Sequence, residues 1–400
     1  MLPTLAVFVL AGCSQTAVVL WTDLPDILPV VERFNAAQDD HVVEVLFEPN
    51  LGSALRLAET PPDLVVGTYI EDRATAALFS PLDRLLRREL DRESFYANLL
   101  ATGVSGGRQH LLPVSFNLPL IYFRSEVPAV ETSIIMSDSE VRAAGESFNA
   151  QQDDQWTRLA YSPVWNPSFL YQYLRLEGFI ARQSEAGTPE WPFEALVSGV
   201  TSAREWLESH GGAEADRAFA TKYLYDPQLQ MVRSGRVAFG YSASNEYLSL
   251  SDARRDGLRF RWFGEDRTVH ALERIVYAGI PNGAGSQAGA EEFLVNLFSL
   301  DEQVALVEGS LRKRVDVFGV VGGFSSLWRM NEAHLGEYYP ELRDAIPPSR
   351  WISFPPASPR HWGAIVDEVV EPWLVREVNG TPQSRDLEAS VRAWLLQQED

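Results

Sequence analysis

Residues 18–48 read VVLWTDLPDILPVVERFNAAQDDHVVEVLFE, and this stretch decides the fold class. It begins within an apolar run at 17–21 and ends with a second apolar run at 42–47. Between them, apolar residues recur at helical spacing over 27–34. The stretch therefore predicts a strand, a helix and a second strand, with Asp23 placed to cap the helix.

The same alternation continues beyond this stretch. A short helix is predicted at 51–59 and a third strand at 64–66, after the break at Pro61 and Pro62. Strands that alternate with helices predict βαβ units and a parallel, doubly wound α/β sheet. After a long extended segment at 111–123 the chain becomes more helical, which indicates a crossover into a second lobe.

The composition limits what the protein can bind. The chain has 400 residues, a hydrophobic content of 46%, a formal net charge of −21 and a pI of about 4.7. At roughly 150 residues per domain, this length predicts two or three domains. Because like charges repel, the acidic chain disfavours nucleic acid as a partner, and also an anionic lipid surface bound by charge.

Cysteine and histidine usage argues against a metal or disulfide framework. The chain has one cysteine and six histidines. A single cysteine cannot form a disulfide within the chain or a cysteine-based zinc site. The histidines show no HExxH or HxH spacing, so we predict no metal and no cofactor. No apolar run approaches the length of about 18 residues that a membrane span needs.

No motif identifies a catalytic centre. The chain has neither a GxSxG nucleophile elbow nor a Walker-type phosphate loop. The glycine-rich segment 283–289 fits neither that loop nor a dinucleotide site, and we interpret it as a turn before a helix. The 55 acidic residues could supply an acid/base pair, but one sequence does not show which two. No catalytic residue is therefore predicted.

The start of the chain resembles a lipoprotein signal. Residues 10–13, Leu-Ala-Gly-Cys, are similar to the lipobox of bacterial lipoproteins, and residues 1–12 would form the signal peptide. The resemblance implies that Cys13 carries a lipid and anchors the protein outside the cell membrane. The alternative is a buried first strand that contains Cys13. The run at 17–21 favours the lipobox because it already supplies a first strand. No Lys or Arg precedes Cys13, which predicts a signal peptide truncated at its start.

Four further stretches, taken in order, carry a resemblance that covers residues 13–400. They are PPDLVVGTYIEDRATAALFSPLDRLL (61–86), LPVSFNLPLIYFRSE (112–126), SGRVAFGYSASNEYL (234–248) and AGIPNGAGSQAGAEEFLVNLFSLDEQVALVE (278–308). Together with the opening stretch, they are similar to the extracellular solute-binding proteins of ABC importers, a family that includes maltose-binding and other sugar-binding proteins. Each stretch alone is a weak signal, and their shared order is the stronger one.

The resemblance implies a two-lobed, periplasmic-binding-protein-like α/β fold with hinge crossovers. Lobe one would comprise 17–116 and 270–306, and lobe two would comprise 117–269 and 307–400. It also implies a binding protein, not an enzyme, that captures a mono- or oligosaccharide between the lobes and delivers it to an ABC permease. In open parallel sheets, ligands bind beyond the carboxyl ends of the strands, which agrees with a cleft at this place.

Candidate ligand-binding residues follow from both arguments. Sugar rings stack on aromatic side chains, and sugar hydroxyls need hydrogen-bond partners. A hydroxyl left unpaired in a closed cleft costs roughly 1–3 kcal/mol. Each candidate also has a structural alternative, namely core packing or helix capping. Strand ends or the resemblance select Trp21, Asp23, Tyr69, Asn117, Trp165, Asn166, Phe169, Ser242, Asn245, Tyr247 and Trp362.

Three alternative functions remain open at this point. An acidic cleft in the same fold would suit a cation such as a polyamine. A surface-anchored hydrolase with two carboxylates belongs to a different class. Ferric-ion binding through Tyr338 and Tyr339 has little support, because the pair directly precedes Pro340 and no recognisable ligand pattern accompanies it.

Overall fold

In the computed structural model, the described residues are 16–127, 133–153, 155–185, 187–223 and 225–398. The predicted signal peptide and the predicted lipid-attachment site Cys13 lie outside them, so both stay predictions. Among the described residues, every helix is too short or too polar to cross a membrane.

Ten strands build the two main sheets. They are β1 (Thr16–Thr22), β2 (His41–Phe47), β3 (Leu64–Thr68), β4 (Leu112–Phe116), β5 (Pro119–Arg124), β6 (Ile135–Met136), β7 (Phe239–Ala243), β8 (Leu258–Phe263), β9 (Val276–Gly279) and β10 (Phe324–Ser325). Shorter strands form two-stranded ribbons, and these are Val104–Ser105 with Arg108–Gln109, Ala150–Gln152 with Gln155–Arg158, Arg182–Gln183 with Pro189–Glu190, and Val269–His270 with Ile352–Ser353.

Helices cover both sheets. The α-helices are Leu28–Ala37, Leu51–Leu57, Arg73–Ala76, Asp83–Arg88, Ala97–Ala101, Asp138–Phe148, Pro167–Leu176, Phe193–Glu208, Gly212–Lys222, Gln228–Arg233, Ser244–Leu248, Asp252–Arg255, Gln287–Leu297, Leu300–Lys313, Gly336–Tyr338, Trp362–Ile365, Glu371–Val378 and Leu387–Gln398. Met330–Leu335 and Val366–Val370 are π-helical, and 3₁₀ turns lie at Pro25–Ile27, Arg92–Ser94, Pro340–Leu342 and Ser349–Trp351.

The first sheet has the strand order β10-β4-β9-β3-β1-β2. β1 pairs in parallel with β2 and with β3, which confirms the βαβ start that residues 18–48 predict. The buried side chains of Val18 and Leu20 face a helix layer in which Phe34 packs edge-on against Phe293, with ring centroids 5.2 Å apart. β4, β9 and β10 add antiparallel pairs, so the completed sheet is mixed.

The second sheet has the order β7-β5-β8-β6 and is largely antiparallel. We predicted doubly wound sheets in both lobes, and the strand directions differ here. The reason is that β5 follows β4 after only Asn117 and Leu118, so it runs away from the first lobe. β7 and β8 pair antiparallel to β5 and therefore run back towards the first lobe, which brings their carboxyl ends to the boundary between the lobes.

The described chain passes between the two sheets at 117–118 and at 264–275, and a third passage, 354–361, leads into helices that share a core with the second sheet. The first two passages are joined, because Leu272 donates its N–H to the carbonyl of Asn117 at 2.9 Å. The predicted lobe boundaries stay a prediction. β10 bears on one of them, because it pairs within the first sheet although we gave 307–400 to lobe two. We propose that the return into lobe two falls after Ser353.

The cleft between the lobes as candidate functional site

Asp23 lies just beyond the carboxyl end of β1. Its carboxylate accepts hydrogen bonds from the hydroxyl of Thr68 at 2.6 Å and from the N–H of Thr68 at 3.2 Å. The helix-capping role expected for Asp23 is not observed: the helical turn at Pro25–Ile27 and the helix Leu28–Ala37 both start without a side-chain cap. The hydroxyl of Thr22 accepts the N–H of Leu24 at 3.0 Å in a local turn before them. Burial raises the pKa of Asp23, and the bonds from Thr68 oppose that shift. Asp23 thus ties β1 to β3 at the rim of the first lobe.

The side chain of Tyr69 makes a contact between the first lobe and the second lobe. It follows β3 directly and has a φ of 54°, a left-handed conformation that strains a residue other than glycine. Its ring lies on the backbone of Gly363, where a Cβ atom would overlap the ring. Burial raises the pKa of the Tyr69 phenol. The half-buried ring therefore closes one side of the cleft by contact with the helix Trp362–Ile365.

Glu273 organises the second passage between the lobes. It is 8% exposed and accepts hydrogen bonds from the Tyr171 hydroxyl at 2.6 Å and from the Trp362 indole N–H at 2.8 Å. The buried Arg175 guanidinium lies 3.5 Å from its second carboxylate oxygen. Such a buried charge persists only when it is paired and hydrogen-bonded. Glu273 therefore fixes this passage against the second lobe.

Arg274 follows Glu273 and is exposed. Its positive charge lowers the pKa of Asp23 in the first lobe and of Asp367 in the second lobe. The guanidinium therefore lies within electrostatic reach of both lobes. Among the residues that the structure describes, Arg274 has no hydrogen bond or ion pair, so its donors face solvent in the cleft.

Asp367 and Glu371 lie on the helical segment that starts at Trp362, on the second-lobe side of the cleft. Burial raises the pKa of Asp367, and the neighbouring charge of Glu368 raises it further. Burial also raises the pKa of Glu371 to about 7, while a hydrogen bond with Ser168 at the start of the helix Pro167–Leu176 lowers it. Charge interactions thus link Arg274 with Asp23 of the first lobe and with Asp367 of the second lobe.

Solved structures match this chain over nearly its whole length, whereas no family model and no curated protein matches its sequence. A sugar transporter protein from Rhizobium etli in an open conformation has 12% identity and a TM-score of 0.67, with 94% of this chain and 97% of that chain covered. An ABC substrate-binding protein from Listeria monocytogenes in complex with cycloalternan has 11% identity and a TM-score of 0.62, with 96% and 100% covered.

A maltose/maltodextrin-binding domain from Bdellovibrio bacteriovorus bound to maltotriose has 15% identity and a TM-score of 0.61, with 96% of this chain and 99% of that chain covered. This chain has the two-lobed fold of ABC substrate-binding proteins. The fold class that the sequence resemblance implied is therefore confirmed. At this level of identity the likeness establishes the fold, and the ligand has to be argued from the cleft itself.

Trp362 is the candidate whose surroundings differ most from the expectation. We expected its ring to offer a stacking face, but the side chain is fully buried. Its indole ring packs 6.3 Å from that of Trp191, and its N–H is used by Glu273. In this structure the ring has no free face, so Trp362 supports the cleft from behind.

Asn117 lies in the first passage between the lobes and uses its whole side-chain amide within the protein. Its NH₂ group donates to the carbonyl of Gly322 at 2.9 Å. Its oxygen accepts from the hydroxyl of Ser244 at 2.7 Å and from the N–H of Asn245 at 3.1 Å. Asn117 therefore joins the loop before β10 to the helix after β7, at the hinge of the molecule.

The Trp165 segment opens the helix Pro167–Leu176. Asn166 is the N-cap of this helix, since its side-chain oxygen accepts the N–H of Phe169 at 3.1 Å. Phe169 is fully buried in the second-lobe core. Trp165 is half-buried and stacks on Phe219 with centroids 5.5 Å apart. Of these three predicted site residues, Trp165 keeps a ring surface towards solvent.

The candidates around β7 divide in the same way. Tyr247 is 3% exposed and stacks on Tyr122, with centroids 5.5 Å apart. Ser242 is half-buried and donates its hydroxyl to Glu246 at 3.0 Å. Asn245 is half-buried, and so is Trp21 at the end of β1. Ser242, Asn245 and Trp21 therefore remain accessible candidates.

Sequence reasoning missed Glu273, Arg274, Asp367 and Glu371. The two carboxylates on the helical segment read as a solvated helix face, and a lone Glu-Arg pair before a strand has no distinctive pattern. Within the described part of the chain, no group of three or more His, Cys, Asp or Glu could hold a metal ion. The described residues named above offer hydrogen bonds, charges and aromatic faces.

Proposed function

We propose that this chain is the substrate-binding protein of an ABC importer and captures a carbohydrate in the cleft between its lobes. The observation that carries the proposal is that Arg274 acts electrostatically on Asp23 of the first lobe and on Asp367 of the second lobe, in a fold shared with solved proteins that bind maltotriose and cycloalternan. A neighbour with the same fold binds mannobiose.

The chemistry of the cleft supports a sugar ligand. A guanidinium offers five N–H donors, and an ionised carboxylate offers acceptors only. Adjacent sugar hydroxyls each donate and accept, so they can bridge donors to acceptors. The half-exposed rings of Trp21, Tyr69 and Trp165 supply apolar faces on which a pyranose can stack. A ligand held in this way is bound without any bond being broken, which is binding and not catalysis.

We propose delivery to a membrane permease and a lipid anchor at Cys13 as parts of the same function. Two lobes joined by three short passages can close around a ligand by hinge motion. Closure would distinguish the loaded from the empty protein for a permease. A lipid anchor would raise the effective concentration of the binding protein at the membrane. Both proposals place the protein outside the cell membrane.

Ligand titration tests the proposal directly. Protein that begins at residue 16 would be titrated by calorimetry and by tryptophan fluorescence with mannobiose, maltotriose and cycloalternan. Saturable binding of at least one sugar, with a raised melting temperature, is expected. A flat response to the whole panel would overturn the carbohydrate proposal.

The carboxylates give one specific reason to test a cationic solute as well. Asp23, Asp367 and Glu371 border the cleft, whereas Arg274 is the cation that acts on two of them. Spermidine is therefore included in the same titration. Binding of spermidine without binding of any sugar would favour the polyamine alternative. Release of reducing sugar from an oligosaccharide would instead favour the hydrolase alternative.

A further inference from the structure

We infer that Arg274 is a specificity-determining residue of the cleft: it anchors the hydroxyls of neutral sugars, while the flanking carboxylates of Asp23 and Asp367 exclude anionic sugars. The inference rests on the proposed carbohydrate-binding function and names the ligand class of that same site. It concerns a residue that sequence reasoning did not select. Its basis is the position of Arg274 between the two lobes and the charges around it.

The backbone of Arg274 is fixed by buried neighbours. Glu273 and Ile275 are 8% and 1% exposed, and the N–H of Ile275 donates to the carbonyl of Glu273 at 2.9 Å. Arg274 is therefore the middle residue of a tight turn whose two ends are held in the core. Its side chain is the exposed part of a rigid base, which is the arrangement that a preorganised ligand contact requires.

Register places this turn beside the first-lobe wall. Val276 pairs with Thr68 in the antiparallel β9–β3 ladder. Thr68 is the residue that donates to Asp23, and Tyr69 follows it. Two residues before Val276, Arg274 thus lies next to the segment that carries Asp23 and Tyr69.

Side-chain contacts place the same turn beside the second-lobe wall. Glu273 accepts the indole N–H of Trp362, and the next residue, Gly363, receives the Tyr69 ring. Asp367 lies four residues after Gly363, about one turn further along the same helical segment, and the charge of Arg274 opposes the rise in its pKa that burial causes. The turn at Arg274 therefore faces Asp367 on one side and Asp23 on the other.

The charges determine the ligand class. A neutral sugar can accept from the guanidinium and donate to the flanking carboxylates, so every charged group keeps a hydrogen-bond partner. An anionic sugar could pair with Arg274, but the ionised carboxylates of Asp23 and Asp367 would repel it. Such like-charge repulsion adds discrimination against the wrong ligand to the attraction for the right one. Arg274 is thus an anchor for hydroxyls and not a receptor for carboxylates.

The experiment compares matched variants and probes. Maltotriose and mannobiose are the neutral probes, and digalacturonic acid is the anionic probe. Wild-type protein is expected to bind a neutral probe and to bind digalacturonic acid at least tenfold more weakly. Arg274→Gln is expected to weaken neutral binding by about 10–100-fold, the usual loss for a charged hydrogen-bond donor, and Arg274→Lys to restore part of it. Asp367→Asn is expected to reduce the difference in affinity between the neutral probes and digalacturonic acid.

Arg87→Gln is the control, since Arg87 is exposed on the helix Asp83–Arg88 and makes no hydrogen bond within the described residues. Arg87→Gln is expected to bind both kinds of probe with wild-type affinity. Arg274→Gln is expected to have the melting temperature of the wild type. The inference would be overturned if Arg274→Gln bound the neutral probes as tightly as the wild type does, or if the wild type bound digalacturonic acid more tightly than the neutral probes. Either result would leave the proposed function standing. No binding of any sugar by the wild type would overturn both.

Discussion

Trp362 donates its indole N–H to the carboxylate of Glu273 at 2.8 Å, and this bond joins the start of the last helical segment to the passage between the lobes. Both partners are buried. The bond spans 89 positions of the sequence, so it holds two distant parts of the chain together. It sets the place of Arg274 on one side and of Gly363 on the other.

Glu273→Gln tests this buried centre. The substitution keeps the shape of the side chain but leaves the Arg175 guanidinium without its counter-charge. Breaking a buried ion pair in this way is expected to lower the free energy of unfolding by about 3–5 kcal/mol. Urea unfolding measures the change, with Glu194→Gln on an exposed helix position as the control. Equal stability of the two variants would contradict the role assigned to Glu273.

Gly363→Ala tests the contact across the cleft. A methyl group at Gly363 would overlap the ring of Tyr69, whereas one at Gly309 meets no described atom within 4 Å. We expect Gly363→Ala to displace the lobes and to lower stability, and Gly309→Ala to leave stability unchanged or to raise it by up to about 1 kcal/mol. Small-angle scattering and thermal unfolding measure the two effects.

A double-mutant cycle provides the decisive comparison for that contact. If the added methyl group at Gly363 overlaps the ring of Tyr69, removing that ring should relieve the overlap. The double variant Tyr69→Ala/Gly363→Ala should then lose less stability than the sum of the losses in the two single variants. Strictly additive losses would show that the two residues do not meet in solution.

Asn117→Ala tests the hinge. The change removes the acceptor of Ser244 and Asn245 and the donor to Gly322. Leaving such groups unpaired is expected to cost about 1–3 kcal/mol of stability. Asn245→Ala is the matched control, because only the backbone of Asn245 takes part in this network. If Asn117→Ala lost less stability than Asn245→Ala, the role assigned to Asn117 in the hinge would be contradicted.

Stability should fall with rising pH because of Glu71. This residue is 5% exposed, accepts the N–H of Ser358 at 3.2 Å, and has its pKa raised by burial from 4.5 to about 7. The folded state therefore binds this proton more tightly than the unfolded state does. The contribution is fully present below pH 4.5 and is lost by pH 7, amounting to about 3 kcal/mol.

The measurement for this prediction is urea unfolding at pH 5 and pH 7.5. Glu71→Gln cannot ionise, so its stability should fall less between the two pH values than that of the wild type. Glu89→Gln, which changes an exposed carboxylate, should keep the wild-type dependence. An identical dependence in all three proteins would place the titration elsewhere.

The sequence predicted most of the first sheet because the signals there are local. The run before Asp23 and the helix that follows show their periodicity within thirty or so residues, and parallel pairing follows from that alternation. The direction of the second sheet could not be predicted in the same way. It depends on β5 leaving the first lobe without an intervening helix, and no local period records that.

The candidate site was predictable only where position on a strand decides exposure. Asp23 and Tyr69 follow strand ends, where Asp23 bonds to Thr68 and the Tyr69 ring lies against Gly363; their place in a ligand site stays a prediction. Trp362 could not be assigned, because its burial depends on a carboxylate 89 positions away. Arg274 and Asp367 have ordinary surroundings in the sequence, and they acquire meaning only when the fold brings them together.

The central place of β9 in the first sheet has a consequence for the order of folding. β4 and β3 are both made before residue 117, yet they are neighbours of β9 and not of each other, and β9 starts at Val276. Strands β5 to β8, in contrast, lie within one continuous segment. As the chain emerges, the second sheet can therefore assemble before the first sheet has its middle strand. A chain cut before Val276 would leave β4 without a partner and one edge of β3 unpaired.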